Sequence, residues 1–255
     1  LVALTLVAMA IGPGSSPRVP PPLAGAGRAL GAGAVPAPAA LQGAVTSVGP
    51  GTLRSVGEPA GLSGPTKVTG DHTALVGSDG KPEVLYVGAE YCPFCAAERW
   101  ALVVALSQFG SFGGLEETHS SSSDVYPDTP TLSFYGSTFA STDLDFTPVE
   151  LATNQAVGGQ YRSLEKLSSA QQSVLDAYDR PPYTSQADAI PFIDVDNRFV
   201  MIGASYDPGV LRGKSVAQIA QALSHPSSPV AKAVDGTANL LVAAISHATG
   251  VRPSR

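Results

Sequence analysis

The stretch Val84–Trp100, VLYVGAEYCPFCAAERW, limits the possible folds most. It holds both cysteines of the 255-residue chain, two residues apart. Val84 to Val87 form a continuous apolar, β-rich run, as expected of a central strand covered on both faces. Gly88 to Tyr91 make a short connection. Pro93 to Phe109 then reads as a helix. Pro93 suits the first helical position, where its missing N–H is no loss, and Ala, Leu and Glu supply helix propensity. So few of its residues are polar that the helix should be largely buried, and Gly110, Gly113 and Gly114 supply its stop. A buried strand feeding a buried helix through a Cys-x-x-Cys turn predicts an α/β domain.

Three uses of the sulfurs compete. Zinc needs four ligands, and His72, His119, His225 and His247 contain no His-x₃₋₅-His pair to complete the set. A structural staple closing two intervening residues removes little entropy from the unfolded chain. A redox pair fits best. Two residues on a first helical turn bring both sulfurs to one edge. Cys92 would stand at the helix N-terminus, where free N–H groups and the positive dipole end favour a thiolate. It is the expected nucleophile, with Cys95, one turn deeper, as the shielded resolving thiol. The pair itself would be the redox group, with no metal and no other cofactor.

Downstream, Leu115 to Ser120 predicts the next strand, and TLSFYGSTF and LDFTPVEL predict two more, paired as a hairpin. Ser168 to Asp179 reads as a helix, because Ser168 and Gln171 have capping-box spacing. Ile190 to Ile202, IPFIDVDNRFVMI, reads as two strands around an Asp196-Asn197 turn. Pro191 stands at the start of the first, where a strand tolerates it. Ser215 to Leu223 and Pro229 to Ala248 are expected helices, the second with Val230, Val234, Leu241 and Ile245 on one face. Ahead of the main strand, LQGAVTSVG and TLRSVG suit short helical turns. KVTG and TALVGSDGKP suggest a small hairpin turning at SDG.

The N-terminal residues 1–11 include one polar side chain, Thr5. They read as the end of a membrane anchor or signal segment, being too short alone to cross a bilayer. Residues 12–43 are dominated by Pro, Ala and Gly, and are expected to form a disordered linker. Residues 44–83 would be an N-terminal extension, 84–225 the main domain and 226–255 a C-terminal helix and tail. An anchor with a tether implies an extracytoplasmic protein held at the membrane. Net charge is −6 with no basic block, which argues against nucleic acid as a partner.

The order strand, Cys-Pro-Phe-Cys helix, strand, helix, Ile-Pro strand, strand, helix resembles that of thioredoxin-like domains, over roughly Val84 to Leu223. More closely, EVLYVGAEYCPFCAAERWALVVALSQFG resembles an uncharacterised family of membrane-tethered, thioredoxin-like prokaryotic proteins of unknown function. The resemblance implies a thioredoxin-like central mixed sheet flanked by helices. It also implies an insertion over about 121–161 before the cis-proline strand, and a C-terminal helical extension. It makes Pro191 a cis-proline facing the disulfide, and it makes Ile190 a backbone partner for an extended substrate peptide. Tyr91 and Phe94 would be further substrate contacts. The implied activity is thiol–disulfide exchange with protein thiols or disulfides; the expected oxidising, extracytoplasmic compartment favours an oxidase or isomerase over a reductase, served by a membrane redox partner.

Three neighbours have competing readings. Glu90 either tunes Cys92 or is a solvated loop carboxylate. Glu98 either tunes the site or, with Arg99, forms an ion pair or is simply solvated. Trp100 lines a peptide groove or packs in the core. A different function is also compatible with the sequence: a tethered binding or assembly module with a static disulfide, holding a partner through residues 121–161.

Overall fold

The computed structural model describes residues 33–254. In chain order its elements are β1 (Val35–Pro36), α1 (Ala39–Thr46), α2 (Pro50–Val56), β2 (Thr66–Lys67), β3 (Glu83–Gly88), α3 (Pro93–Leu106), β4 (Ser111–Gly113), β5 (Glu116–His119), β6 (Pro130–Ser133), β7 (Thr138–Ala140), β8 (Asp145–Glu150), β9 (Ala152–Val157), β10 (Gln160–Ser163), α4 (Ser169–Tyr178), β11 (Phe192–Val195), β12 (Phe199–Ile202), α5 (Val216–Leu223) and α6 (Pro229–Thr249). The fold is mixed α/β, organised on a five-stranded sheet in the order β2-β12-β11-β3-β8. β8 runs parallel to β3, whereas β11 and β12 are antiparallel to their neighbours.

Every residue of β3 is buried, and the pleat sends alternate side chains into two cores. Val84 and Tyr86 join Ile193, Val195 and Met201 on the face covered by α3 and α6. Leu85 and Val87 join Phe192, Val200 and Val149 on the face covered by Val174 and Leu175 of α4. Every α3 residue except Phe94 is buried, because α6 packs along it. The 226–255 segment is therefore a wall of the main core. Leu102, Leu106, Leu241 and Ile245 all reach zero exposure there, each worth about 1.5–3 kcal/mol when fully buried.

Local sequence signals place several elements. Ser168 and Ser215 each close a capping box with the glutamine three residues on, at the starts of α4 and α5. Asp196 and Asn197 both take positive φ, and the Arg198 N–H returns to the Val195 carbonyl, turning β11 into β12. The SDG turn is present, with Gly80 N–H bonded to the Gly77 carbonyl. KVTG does not pair with it; β2 joins the sheet edge beside β12.

Two boundaries and one strand pairing differ from the sequence reading. The Pro/Ala/Gly segment does not stay unstructured to residue 43. Ala34, Ala37 and Leu41 are buried, and β1 pairs with β5; its residues 12–32, and the apolar segment 1–11, lie outside the described residues. The 121–161 stretch is not one insertion, because β8 within it is the parallel partner of β3. What departs from the sheet is the chain between α3 and β8. There β5 and β6 form a separate sheet with β1, and β4 pairs with β7. TLSFYGSTF and LDFTPVEL are correspondingly not a hairpin. Pro148 is tolerated within β8 because β8 is an edge strand.

Gly88 ends β3 just before the cysteine turn, and the Tyr86 hydroxyl occupies the space where a Gly88 side chain would sit. Gly88→Ala should lower stability by about 1–3 kcal/mol, since both groups are boxed in by core packing. Urea unfolding checks this; an unchanged midpoint would show that the Tyr86 ring yields freely.

Candidate functional site

β3 delivers the chain to α3 with Cys92 as N-cap, its backbone extended at φ −76 and ψ 120. The Cys92 sulfur takes the role that a serine oxygen plays in other caps. It accepts the Cys95 N–H at 3.2 Å, satisfying one of the free donors of the first turn. Both cysteines are free thiols. Cys92 keeps 5% exposure, and Cys95, facing into the protein, keeps none.

The two thiols are driven apart chemically. The Cys95 S–H bonded to Cys92 holds the Cys92 thiol below its ordinary value. The Cys95 N–H and the Arg99 charge act in the same direction and burial opposes them. Burial pushes Cys95 well above the ordinary thiol range, and Arg99 partly offsets it. The acidic sulfur is thus the one with access, as nucleophilic attack requires.

The Ile190–Pro191 peptide bond is cis. It begins β11, whose Phe192 pairs with Val87 near the end of β3. This brings the Ile190 carbonyl within 3.8 Å of the Cys92 sulfur, which donates to it. Residues 92 and 190–191, about a hundred positions apart in the chain, therefore share one edge of the molecule.

Beside them lies an open groove of about 460 Å³, lined by Phe94, Ile190, Tyr126, Gly203, Tyr206 and Asp207 among others. Phe94 meets Tyr126 edge-on, with ring centroids 5.8 Å apart. Tyr126 also bonds Asp207 and lies under the Arg212 guanidinium. Of the expected substrate contacts, Ile190 and Phe94 line this groove. Tyr91 does not; it stacks on Tyr161 with centroids 4.1 Å apart, and Tyr161 donates to Ser121 Oγ.

The charged neighbours are all buried. Glu90 is not a solvated loop carboxylate. It accepts a hydrogen bond from the Ser133 hydroxyl at 2.8 Å, and burial pushes its pKa up to about 7. Glu98 and Arg99 neither pair with each other nor face solvent. Glu98 accepts from the Ser205 N–H and hydroxyl, and burial pushes it to about 7. Arg99 makes a two-pronged ion pair with Glu150, at 2.8 Å and 2.7 Å. Trp100 is core, its indole N–H donating to the Pro130 carbonyl. Tyr126, Glu150 and Ser205 escaped the sequence reading. Tyr126 and Ser205 lie in loops and Glu150 ends β8, all far along the chain, and no local spacing links any of them to the cysteines.

Among the described residues, no group of three or more His, Cys, Asp and Glu side chains is placed to hold a metal ion. No helix among them is long and apolar enough to cross a membrane. Residues 72–160 match the family described as "Domain of unknown function (DUF929)". The matched span contains Cys92, Cys95, Arg99 and Glu150 and ends before Ile190. No curated protein and no solved structure matches the chain.

Proposed function

We propose that this protein is a thiol–disulfide oxidoreductase of thioredoxin-like architecture that exchanges disulfides with protein thiols. The observation carrying the proposal is the meeting of the Cys92 sulfur, at the start of α3, with the carbonyl before a cis-proline. The topology supports it as well. The strand before the cysteines, its parallel partner reached through α3, and two antiparallel strands that begin at the proline give a mixed sheet compatible with such a domain.

In the oxidising direction a substrate thiolate attacks Cys92 Sγ of the Cys92–Cys95 disulfide. The Cys92–Cys95 bond breaks, and its electron pair stays on Cys95. A second substrate thiolate then attacks the substrate sulfur of the mixed disulfide and releases Cys92 as a thiolate. The substrate leaves oxidised and the protein leaves as a dithiol. The reductive cycle runs through the same mixed disulfide in reverse. An extended peptide would lie along Ile190, with Phe94 and Tyr126 offering apolar surface to the residues flanking its cysteine. The apolar and Pro-rich composition of residues 1–32 extends the proposal to an extracytoplasmic, membrane-held protein working with a membrane redox partner.

The test is a trap. Cys95→Ala removes the resolving thiol, so mixed disulfides should accumulate on Cys92. If a folded Cys95→Ala protein collects no partner, exchange is not its chemistry. The low exposure of Cys92 favours one other reading, a binding module with a static disulfide. That reading requires a reduction potential below about −300 mV, against the roughly −270 to −120 mV of exchange catalysts.

A further inference from the structure

Opening the disulfide leaves the electron pair on Cys95, the sulfur with no exposure at all. Water cannot stabilise that charge, so the protein must. Arg99 lies four residues after Cys95 on α3, one turn on and on the same face. Side chains on a helix lean towards its N-terminus, so Arg99 leans back over the Cys95 turn. Its guanidinium is fully buried and lies 5.9 Å from the centre of the Tyr86 ring.

Glu150 fixes that guanidinium. It is the last residue of β8 and pairs with Gly88, so it shares the α3 face of the sheet with Tyr86. Its two oxygens bind Nε and Nη2 of Arg99. One of them also lies 3.4 Å from the Phe134 N–H, and the Glu150 N–H is held by Glu165. Arg99 Nη1 remains buried with no hydrogen-bond partner among the described residues. A buried cationic donor left open is a loss of stability, and the Arg99 charge acts on the Cys95 sulfur, which must become anionic.

We infer that Arg99, clamped by Glu150, is a positioning residue of the exchange site, whose buried charge favours the thiolate form of the cysteine pair and so sets how oxidising the disulfide is. This inference rests on the exchange chemistry proposed above. The charged and titratable groups around the guanidinium are Glu150 on β8, Tyr86 on β3, Glu90 in the turn after β3, and the two thiols. The Arg99 charge lowers both thiols, and Glu150, of opposite charge, acts against it. The pair should therefore act on them with a definite sign.

The experiment compares Arg99→Met, Glu150→Gln and the double variant. Two quantities are read: the pH dependence of Cys92 alkylation in the reduced protein, and the dithiol–disulfide equilibrium against glutathione. Arg99→Met should move the alkylation midpoint up and favour the disulfide about tenfold. Glu150→Gln, which leaves Arg99 uncompensated, should move both in the opposite direction by a similar factor. A tenfold change in this two-electron equilibrium is about 30 mV. If Arg99→Met does not fold, the double variant replaces it, because it differs from Glu150→Gln only in the cation. Two folded variants that shift in the same direction, or do not shift, overturn the inference, since damage to packing carries no such sign. A wild-type disulfide that glutathione cannot reduce overturns the exchange chemistry instead, and the alkylation profiles still decide the role of Arg99.

Discussion

Cys92→Ser should lower the rate of exchange with a model disulfide by at least about 10³-fold, whereas Cys95→Ala should leave one thiol that still reacts once. Removing the nucleophile of a chemical step removes nearly all of its acceleration. The asymmetry follows from the environments of the two sulfurs. Cys92 has the only access, and its thiol is held low by the Cys95 S–H that points at it. Cys95 is sealed and pushed up by burial. Native alkylation near neutral pH should therefore label Cys92 and spare Cys95.

The same hydrogen bond makes a finer demand. Cys95→Ala deletes the strongest contribution to the acidity of Cys92, so the alkylation midpoint of the remaining thiol should rise relative to wild type. Cys95→Ser keeps an O–H donor at the position and should recover part of the shift. Alkylation followed by mass spectrometry, across a pH series, reads all three proteins. Preferential labelling of Cys95, or an unchanged midpoint in Cys95→Ala, would remove the basis for assigning nucleophile and resolving thiol in this order.

The parts of the site legible in the sequence are those encoded within a few residues. Cys92, Pro93 and Cys95 announce a capped helix start, Ser168 and Gln171 a capping box, and Asp196-Asn197 a tight turn. Each depends on local chemistry that a short window contains. What the window lacks is pairing. Leu115 to Ser120 and Asp145 to Glu150 are both credible strands, and nothing in either says which lies beside β3. The structure chooses β8, as an edge strand on which only Val149 and Glu150 are fully buried, so its sequence never shows the long apolar run that marks a central strand. Glu150 was hidden with it, and so was the partner of Arg99. An arginine in an apolar helix carries no local sign of a carboxylate 51 residues away. The early start of the folded region was hidden for another reason. Val35 to Leu41 have the composition of the linker before them, and their order comes from docking on β5 and α3 rather than from their own propensity.

The buried carboxylates give the protein an unusual pH profile, with stability that should fall steadily from pH 5 to pH 8. Burial holds Glu90, Glu98 and Asp194 protonated up to about 7, and Asp235 up to about 8. In the unfolded chain the same groups titrate near 4. Between those values the folded state binds more protons than the unfolded state, so stability is fully present below pH 4 and is lost as pH rises through the folded values. Each group steepens the fall by at most about 1.4 kcal/mol per pH unit, and entry of water around an ionising carboxylate reduces that. Asp235 should contribute most. Neither of its oxygens has a hydrogen-bond partner among the described residues, and it lies in the α6 face that closes the core over α3. Asp235→Asn cannot ionise, so it should raise Tm at pH 8, leave it nearly unchanged at pH 4.5, and flatten the slope between. Cys92 acts in the opposite sense at alkaline pH, so the scan belongs on the Cys92→Ser protein. A Tm that stays level or climbs from pH 5 to pH 8 would mean that these carboxylates find water or cations in solution, and that the core between α3 and α6 is wetter than its packing implies.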